Sequence, residues 1–270
     1  MFFMIIFIIL AFSWLIYRAY NNTKDIQINK IQIESPVSSS THQPFTILHL
    51  SDLHVENISL TPEQLEKQIR KESFDLIALT GDFLDRRRSI PKLANYLKIL
   101  NKYQPRYGIY AVLGNHDYVL KGKHLQNLID VLTEHNCHVL QNEHRTIDVQ
   151  GKTVNIIGID DDSTNRSDVA KAFHNVPSGT NIVLTHDPTI VLDMDDYHFD
   201  YLMAGHFHGG QICYPKAFHL VKMGKLARKN IIKGLHTYQR KPFYISEGLG
   251  QTGVNIRIGS RPEITFHQFV

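Results

Sequence analysis

The sequence predicts an α/β fold that follows an apolar N-terminal segment. Short apolar runs rich in Ile, Val and Leu alternate with stretches whose apolar residues recur at helical spacing, a pattern typical of strands joined by helices. Each apolar run stops abruptly at a cluster of Asp, Asn, His or Gly. The first 17 residues carry no charged side chain. The strand-like runs are FTILHL, FDLIALT, IYAVL, VNIIGI, NIVLT and FDYLMA.

The composition is that of a globular protein of moderate size. The chain has 270 residues, a net charge of +3 and 43% hydrophobic residues, which suits one large α/β domain. Its two cysteines have no CxxC spacing and no disulfide framework, so they hardly constrain the redox compartment. No base-stacking or groove-reading motif accompanies the basic residues, and we therefore expect no nucleic acid partner.

The N-terminal segment MFFMIIFIILAFSWLIY approaches the length that a bilayer requires. At about 1.5 Å per residue it spans roughly 25 Å as a helix. No basic residue precedes it and no small-residue cleavage site follows, which favours an uncleaved membrane anchor over residues 1–20. Arg18, Lys24 and Lys30 come after it, so the positive-inside rule predicts a cytoplasmic body. A divergent export signal is the alternative.

We expect short strands and a linker over residues 21–44, followed by one domain over residues 45–270. The isoleucines between positions 26 and 33 alternate as in a strand or a hairpin, and SPVSSSTHQP has linker composition. In TPEQLEKQIRKE, Thr61 and Gln64 predict a capping box at the start of a helix. Helical spacing recurs in SIPKLANYLKILNK and HLQNLIDVLTEH. The tail segments PFYIS, NIRI and EITFHQFV predict further, largely antiparallel strands.

Polar clusters follow the apolar runs at the points where strands are predicted to end. In an open α/β sheet, ligands bind outside the carboxyl ends of the strands. The clusters offer carboxylate, amide and imidazole groups without thiolate, a set that suits Mn, Fe, Zn or a similar divalent ion. Each cluster alone fits a turn or a surface histidine equally well, and only their order is specific. In order they are Asp52-x-His54, Gly81-Asp82-x-x-Asp85, Gly114-Asn115-His116-Asp117, His186 and Gly205-His206-x-His208.

This ordered set resembles the calcineurin-like metallophosphoesterases, and the resemblance covers residues 45–210. It implies a four-layer αββα sandwich and a phosphate-ester hydrolase with two divalent metal ions. Two ions roughly 3.5–4 Å apart suit this chemistry because they clamp the attacking and leaving oxygens of an in-line displacement. Asp82 would bridge both ions. The resemblance implies Asp52, His54 and His208 as ligands of the first ion, and Asn115, His186 and His206 as ligands of the second.

The same resemblance implies roles for residues that do not bind metal. His116 is expected to stabilise developing charge or to protonate the leaving oxygen, and Asp85 to orient His116 and raise its pKa. Arg86 is expected to hold a phosphate oxygen of the substrate. We expect Asp117 to fix its loop. The aspartates at 160–162 match no ligand of the family and are expected to lie in a solvated loop.

Further motifs resemble a membrane-associated bacterial branch of the family. That branch includes exported phosphoesterases and the UDP-2,3-diacylglucosamine pyrophosphatases of lipid A synthesis. The motifs are ILHLSDLH, GHFHGGQI, and YISEGLGQTG with the later RPEI. The leading hypothesis is therefore a membrane-anchored, metal-dependent hydrolase of a phosphodiester or pyrophosphate, with UDP-2,3-diacylglucosamine as the named substrate. An exported envelope phosphoesterase is the runner-up. A non-catalytic metal-binding scaffold is a third reading, although the chain has lost neither a ligand nor His116 nor Asp85.

The segment from Cys213 to Pro242 adds an observation independent of the resemblance. It contains eight Lys or Arg residues and no Asp or Glu, with apolar residues interleaved. Basic residues mixed with exposed apolar ones suit an anionic membrane surface or an amphiphilic phosphate ester. The alternative is an ordinary solvated cover over the sheet. Next to an anchor, the segment favours a membrane partner and a lipid-linked phosphate ester as substrate.

Overall fold

Two β-sheets packed face to face form the body of the protein in the computed structural model, which describes residues 1–34, 37 and 44–270. The helices are α1 (Phe2–Asn21), α2 (Pro62–Ile69), α3 (Ile90–Lys102), α4 (Lys123–Glu134), α5 (Val169–Ala172) and α6 (Lys225–Arg228). The strands are β1 (Gln27–Ile33), β2 (Phe45–Leu50), β3 (Leu76–Thr80), β4 (Ile109–Val112), β5 (Cys137–Val139), β6 (Glu143–Val149), β7 (Lys152–Gly158), β8 (Thr180–Leu184), β9 (Tyr201–Ala204), β10 (Gly234–Tyr238), β11 (Lys241–Ile245) and β12 (Glu263–Phe269).

The first sheet has the strand order β1-β12-β2-β3-β4-β5. Strands β2 to β5 run parallel, and the apolar residues of α2, α3 and α4 pack on the outer face of the sheet. The predicted capping box starts α2: the Thr61 hydroxyl accepts from the Gln64 backbone N–H at 3.3 Å, and the Gln64 side chain accepts from the Thr61 N–H at 2.9 Å. This helical prediction is confirmed at its first residue.

The second sheet has the order β10-β11-β9-β8-β7-β6 and completes the four layers. Its central strands β7, β8, β9 and β11 run parallel, while the edge strands β6 and β10 are antiparallel to their neighbours. Short helical pieces, including α6 and the 3-10 turns Pro188–Asp193 and Phe218–Lys222, cover its outer face. Apolar side chains of both sheets fill the space between them. The αββα sandwich expected from the sequence is confirmed.

The N-terminal part divides into an exposed helix and an edge strand. Of the residues in α1, only Ala19 is buried, so its apolar side chains are not part of the core. The alternating isoleucines form the single strand β1, which pairs in parallel with β12, and not a hairpin. The linker predicted at 35–44 lies outside the described residues apart from Val37 and Pro44. The domain division at residue 45 stays a prediction, since β1 already belongs to the first sheet.

The tail follows the sequence prediction only in part. Strand β12 is antiparallel to β2, as expected, but β11 joins β9 in parallel. The stretch NIRI is not a strand: Ile258 makes only an isolated bridge to Ile212, and Arg257 between the isoleucines is fully buried. A fully buried guanidinium needs several hydrogen-bond acceptors, here backbone carbonyl groups. The chain around Arg257 supplies these contacts and does not pair as a strand.

A buried polar chain between the sheets was not foreseen from the sequence. His49 Nε2 lies 2.8 Å from the Thr80 hydroxyl, and His49 Nδ1 lies 3.3 Å from His267 Nε2. His267 Nδ1 in turn lies 2.9 Å from the Tyr201 hydroxyl. Burial lowers the pKa of His49 to about 3, so the ring is neutral and can donate on one side while it accepts on the other. The chain fixes the inner side of β3 just before the loop that carries Asp82.

Candidate metal centre

The predicted ligands come together because parallel strands from both sheets end at the same edge of the sandwich. In the first sheet Leu50 is paired with Leu79, and Thr80 with Val112, so the loops after β2, β3 and β4 start side by side. In the second sheet Leu184 is paired with Met203, which aligns the loops after β8 and β9. These five loops carry every predicted metal ligand.

The backbone at this edge adopts conformations that most side chains avoid. Five of the predicted ligands have positive φ angles: Asp52 (48°), His54 (35°), Asp82 (53°), His206 (77°) and His208 (50°). A positive φ is uncommon outside glycine, and such strain costs of order 1–3 kcal/mol per residue. Glycine would relieve the strain but would remove the side chain. The strain therefore indicates that these side chains are needed where they are.

Four of the predicted ligands form a compact buried group. Their candidate ligand atoms, one from each residue, all lie within 4.8 Å of one another. His208 Nε2 is 3.4 Å from Asp52 Oδ1, and His54 Nε2 is 3.4 Å from Asp82 Oδ2. The group comprises Asp52, His54, Asp82 and His208, which are the three ligands implied for the first ion together with the bridging aspartate.

The remaining ligands meet on the other side of Asp82. His186 Nε2 lies 3.2 Å from Asp82 Oδ2, 3.1 Å from the Asn115 side-chain oxygen and 3.2 Å from His206 Nδ1. Asp82 Oδ1 accepts from the His116 backbone N–H at 2.8 Å, which leaves Oδ2 between the two histidines. Such a placement of Oδ2 is the one that a carboxylate shared by two ions requires.

Hydrogen bonds behind three histidines fix which ring nitrogen faces the centre. His186 Nδ1 lies 2.7 Å from the Thr80 carbonyl, and His208 Nδ1 lies 3.3 Å from the Gly250 carbonyl. His54 Nδ1 lies 2.8 Å from Asp85 Oδ1. In each case Nδ1–H donates outward and Nε2 points inward, the arrangement in which neighbouring groups orient a metal-binding histidine.

Two glycines let the loops approach the carboxylates. A Cβ at Gly114 would overlap the side chain of Asp82, and a Cβ at Gly205 would overlap Ser51 and Asp52. The Ser51 hydroxyl donates to Asp52 Oδ2 at 2.6 Å, and the His206 backbone N–H donates to the same carboxylate. Both carboxylates are therefore held by backbone and hydroxyl donors at a fixed distance from the histidines.

The carboxylates of the centre favour a positive charge on the groups that lie between them. Burial alone would lower the pKa of His54, but the neighbouring carboxylates of Asp82, Asp85 and Asp52 outweigh it and raise the pKa to about 10. Burial, together with the charge of His186, lowers the pKa of His206 to about 4, so that ring is neutral. The carboxylates thus attract a cation, and a divalent ion would replace the proton on His54 Nε2.

The residues fit divalent metal ions on the chemistry of the donor set. His54 Nε2 and His208 Nε2 are buried nitrogen atoms without a hydrogen-bond partner among the described residues. Metal–nitrogen distances are about 2.0–2.1 Å, so ligands of one ion lie roughly 3 Å apart, close to the separations found here. Buried polar atoms are rarely left unsatisfied without a function. The cluster could hold metal, while the identity of the ion is not fixed by imidazole and carboxylate ligands alone.

Asp85 contacts two histidines and not one. Its Oδ1 lies 2.9 Å from His116 Nδ1 as well as 2.8 Å from His54 Nδ1. Burial alone would lower the pKa of His116, but the hydrogen bond to Asp85 and the charge of Asp82 raise it overall. The sequence predicted the contact with His116 but not the one with His54. Asp85 therefore connects the candidate proton donor to a metal ligand.

Two aspartate predictions have opposite outcomes. Asp117 fixes its loop as predicted: its carboxylate accepts from the backbone N–H groups of Asp82, Phe83 and Gly114 at 2.9 Å each. The solvated loop predicted at 160–162 is wrong for its first two residues. Asp160 is buried and accepts from the Tyr118 hydroxyl, and Asp161 is fully buried. Asp161 accepts from the Ser163 hydroxyl and the Thr164 N–H, so its carboxylate is used within its own loop.

Arg86 lies at the surface directly after Asp85, and its side chain is exposed. It does not line the cavity of about 360 Å³ that opens over the centre, which is bordered by Asp82, Asn115, His116, His206 and His208 among others. The role predicted for Arg86 stays a prediction. The structure gives it no contact with the ligands.

Sequence reasoning missed the residues behind the first ligand group. The buried guanidinium of Arg257 donates to the carbonyls of Glu247, Gly248 and Gly250 at 2.7–3.0 Å, and Gly250 also accepts from His208. Burial lowers the pKa of Arg257 to about 10, which leaves it charged at neutral pH. A signal was present: RIGSRPEI places an arginine between isoleucines close to the glycine pair of GLG.

The double contact of Asp85 gives a test with two readouts. In Asp85→Asn the charge that supports both imidazoles is lost. We expect a lower kcat together with roughly 10–100-fold weaker metal affinity, the usual cost of removing a partner of a metal-binding histidine. Metal titration and steady-state kinetics measure the two effects. Arg88→Gln, which changes an exposed neighbour, is the matched control. Unchanged metal affinity in the Asp85→Asn protein would contradict the support of His54.

Comparisons with known proteins agree with this geometry. The family model for calcineurin-like phosphoesterases matches residues 45–210. The uncharacterized metallophosphoesterase YkoQ of Bacillus subtilis is 59% identical, with 96% of each chain covered. UDP-2,3-diacylglucosamine pyrophosphatase LpxG of Chlamydia muridarum is 29% identical over 81% of each chain. Phosphodiesterase YaeI of Escherichia coli is 28% identical over 84% of this chain and 83% of its own length. With its buried cluster of Asp and His, this chain belongs to the calcineurin-like phosphoesterase family and is a metal-dependent phosphoesterase.

Proposed function

We propose that the protein is a membrane-anchored hydrolase that uses two divalent ions to cleave a phosphodiester or pyrophosphate bond in a lipid-linked substrate. The single observation that carries the two-ion proposal is Asp82 Oδ2, which lies between His54 Nε2 and His186 Nε2 at 3.4 and 3.2 Å. The proposed ligands of the first ion are Asp52, His54 and His208, and those of the second are Asn115, His186 and His206, with Asp82 shared.

When bound, two such ions stabilise the phosphoryl oxygens as Lewis acids and lower the pKa of the attacking water. Mn, Fe, Zn or a similar ion suits ligands of this type. Asn115 contributes a neutral oxygen, so the loaded centre keeps an excess of positive charge toward a phosphate. The apolar side chains of Phe207 and Leu220 line the cavity above the centre together with the predicted ligands.

His116 is proposed to act on the leaving oxygen. Its Nδ1–H is held by Asp85, and its ring is only half buried, so Nε2 is left to carry the proton that the leaving group takes. The carboxylates of Asp85 and Asp82 raise the pKa of His116, which favours the protonated ring. Asp82 holds the backbone N–H of the same residue, so the acid and the shared carboxylate keep a fixed distance. Arg86 is proposed to hold an outer phosphate oxygen by moving its exposed side chain toward the substrate.

The lipid-linked substrate is supported by the apolar residues near the centre and by one relative. LpxG of Chlamydia muridarum is named for hydrolysis of UDP-2,3-diacylglucosamine. That compound joins a nucleotide, a pyrophosphate and two acyl chains, and it suits a centre with Leu220 and Met223 at its cavity wall. We propose UDP-2,3-diacylglucosamine as the specific substrate to examine first, within the class of amphiphilic pyrophosphates.

The substrate proposal is tested with the purified full-length protein, supplied with Mn²⁺ or Zn²⁺ in detergent. Hydrolysis is measured for UDP-2,3-diacylglucosamine, for bis-p-nitrophenyl phosphate and for p-nitrophenyl phosphate. We expect the highest kcat/KM for the amphiphilic pyrophosphate and little turnover of the monoester. Preference for the monoester would reject the proposed substrate class, and no turnover of any ester in the metal-loaded protein would favour a non-catalytic scaffold.

The N-terminal helix gives the membrane part of the proposal. Residues 2–24 form a helix long and apolar enough to cross a membrane, and its side chains are mostly exposed. Such a helix could be an anchor or a signal sequence. Since no cleavage site follows it and Arg18, Lys24 and Lys30 do, we propose an uncleaved anchor with a cytoplasmic body.

A pair of C-terminal fusions checks this topology. We expect fluorescence from a reporter that matures only in the cytoplasm, no activity from an alkaline phosphatase fusion, and an intact N-terminus by mass spectrometry. The charge bias on the C-terminal side of the helix is the physical reason. Active alkaline phosphatase with a dark fluorescent reporter would reverse the orientation and support the exported envelope phosphoesterase.

A further inference from the structure

The stretch from Ile212 to Lys229 has two faces with different partners. Its inner side chains, including Ala217, Leu220 and Leu226, are buried against the outer face of the second sheet. The interleaved apolar residues of the segment are therefore not all exposed, since Leu220 and Leu226 belong to the core of the second sheet. The outer side chains remain exposed, with Tyr214 exposed to 84% and Phe218 to 64%. Exposed apolar side chains that form a contiguous patch mark an interaction surface, whereas single ones are ordinary.

The basic residues of the longer segment from Cys213 to Pro242 also divide into two sets. Lys233 pairs with Glu247 at 3.1 Å, and Lys241 donates to three backbone carbonyls, so these two serve the fold. The other set is exposed and forms no ion pair among residues 1–34, 37 and 44–270. Its members are Arg240 and, within Ile212–Lys229, Lys216, Lys222, Lys225, Arg228 and Lys229. The stretch Ile212–Lys229 contains no acidic residue.

One loop connects this stretch to the end of the apolar helix. The Arg257 backbone N–H donates to the Ala19 carbonyl of α1 at 2.9 Å, and the Asn22 side chain donates to the Arg257 carbonyl at 2.8 Å. The next residue, Ile258, donates to the Gln211 carbonyl and accepts from the Cys213 N–H. If α1 spans a bilayer, the stretch begins beside the point where the chain leaves it.

The same stretch forms one wall of the cavity over the metal centre. His219, Leu220 and Met223 border the same cavity as His206 and His208. The exposed apolar Val254 lies in the loop that joins the stretch to α1. Backbone hydrogen bonds through Arg257 and Ile258 thus join the end of the helix to the start of the stretch that borders the cavity.

We propose that Ile212–Lys229 together with Val254, here named the lipid-facing surface, lies on an anionic lipid bilayer and admits the substrate to the metal centre from that bilayer. The inference rests on the anchor and the substrate class of the proposed function. The occupant is an anionic bilayer because five unpaired basic residues and no acidic residue complement its charge. The surface also continues directly from a helix of bilayer length. Aromatic and aliphatic side chains among the basic ones would enter the headgroup region.

Contact with lipid is measured directly in the full-length protein. The Tyr214→Cys protein, in a Cys213→Ala background, is labelled with an environment-sensitive fluorophore and placed in nanodiscs that contain phosphatidylglycerol and a quencher lipid. We expect a blue-shifted and strongly quenched signal. A label at Arg145→Cys, on the opposite edge strand β6, should remain unquenched. An unquenched label at position 214 in discs that carry the protein would overturn the proposal, whatever the protein hydrolyses.

The charge requirement is tested by two quadruple variants of equal charge loss. In one, Lys222, Lys225, Arg228 and Lys229 are changed to Gln; in the control, the exposed Lys71, Lys92, Lys98 and Lys123 are changed. We expect the first to lose quenching and at least about tenfold in kcat/KM for a lipid pyrophosphate in anionic discs. Its hydrolysis of bis-p-nitrophenyl phosphate should stay within about twofold. The control should change neither property.

Besides an unquenched label at position 214, three further outcomes would overturn the inference. Equal losses in both quadruple variants would mean that total charge matters and not this surface. Equal losses on both substrates would assign the stretch to the fold or to the centre itself. Quenching that persists in discs of phosphatidylcholine alone, with full lipid turnover, would reject an anionic bilayer as the occupant. Failure of the protein to stay with the discs at all would instead reject the anchor, and absence of any ester hydrolysis would reject the proposed enzyme.

Discussion

Asp82→Asn is expected to abolish hydrolysis and to lower the metal content of both proposed sites. The substitution keeps the shape of the side chain and its hydrogen bond from the His116 N–H, but it removes the negative charge between His54 and His186. A shared carboxylate contributes to both ions, so its loss weakens the two sites together. Metal content by mass spectrometry and turnover of bis-p-nitrophenyl phosphate measure the two effects.

The Asp130→Asn protein is the matched control, since Asp130 lies exposed on α4 and only accepts from Gln126. It should keep its metal content and its activity. Loss of one ion alone in the Asp82→Asn protein would assign Asp82 to a single site. An Asp82→Asn protein with unchanged metal content and unchanged rate would reject the bridging role.

His116→Ala is expected to keep the metal ions but to lose about 10²–10⁴-fold in kcat, the usual contribution of a general acid. That loss corresponds to roughly 3–5 kcal/mol of transition-state stabilisation. The ring touches Asp85 and lies next to the ring of His54 without entering the buried ligand group, so its removal leaves that group in place. Stopped assays with saturating metal give kcat and KM separately.

The size of the loss should depend on the leaving group. A substrate with p-nitrophenolate as leaving group needs little protonation, so the His116→Ala protein should be impaired less on it than on an alkyl or sugar pyrophosphate. His174→Ala, at an exposed histidine far along the chain, should have no effect. A metal-replete His116→Ala protein with full activity on both substrates would reject the role of proton donor.

Much of the fold could be predicted because apolar periodicity and capping chemistry are local. The capping box of Thr61 and Gln64 and the strand runs that end at polar clusters are written in neighbouring residues. The approach of Asp52 to His208, 156 positions apart, is not local, and only the ordered resemblance to a family linked them. From residue spacing alone, each cluster would have been interpreted as a turn or as a surface histidine.

The sequence predictions failed where burial decides the outcome. Asp160 and Asp161 were expected in a solvated loop because they match no ligand of the family, yet both are buried. Asp160 accepts from the Tyr118 hydroxyl and the Asp161 N–H, and Asp161 accepts from the Ser163 hydroxyl and the Thr164 N–H. Arg257 was missed for the same reason, because its partners are carbonyl groups, which leave no pattern in the sequence. Contacts with the backbone depend on the path of the chain, and a single sequence does not give that path.

The basic segment from Cys213 to Pro242 shows a further limit of sequence reasoning. The sequence gives the number of basic residues but not which of them stabilise the fold. That Lys233 pairs with Glu247 is evident only from the structure. Likewise, the alternating apolar residues did not show which of them face the second sheet. Phe218 and Leu220, two positions apart, differ in burial because a 3-10 turn places them on different sides.

The number of metal ions per active chain tests the central claim most directly. The full-length protein is stripped with a chelator and titrated with Mn²⁺ while hydrolysis of bis-p-nitrophenyl phosphate is followed, with bound metal counted at each step. The account predicts no activity in the stripped protein and a rise that saturates at two ions per chain. Full activity of the stripped protein, or saturation at one ion with no further gain, would contradict a centre in which Asp82 is shared between two ions.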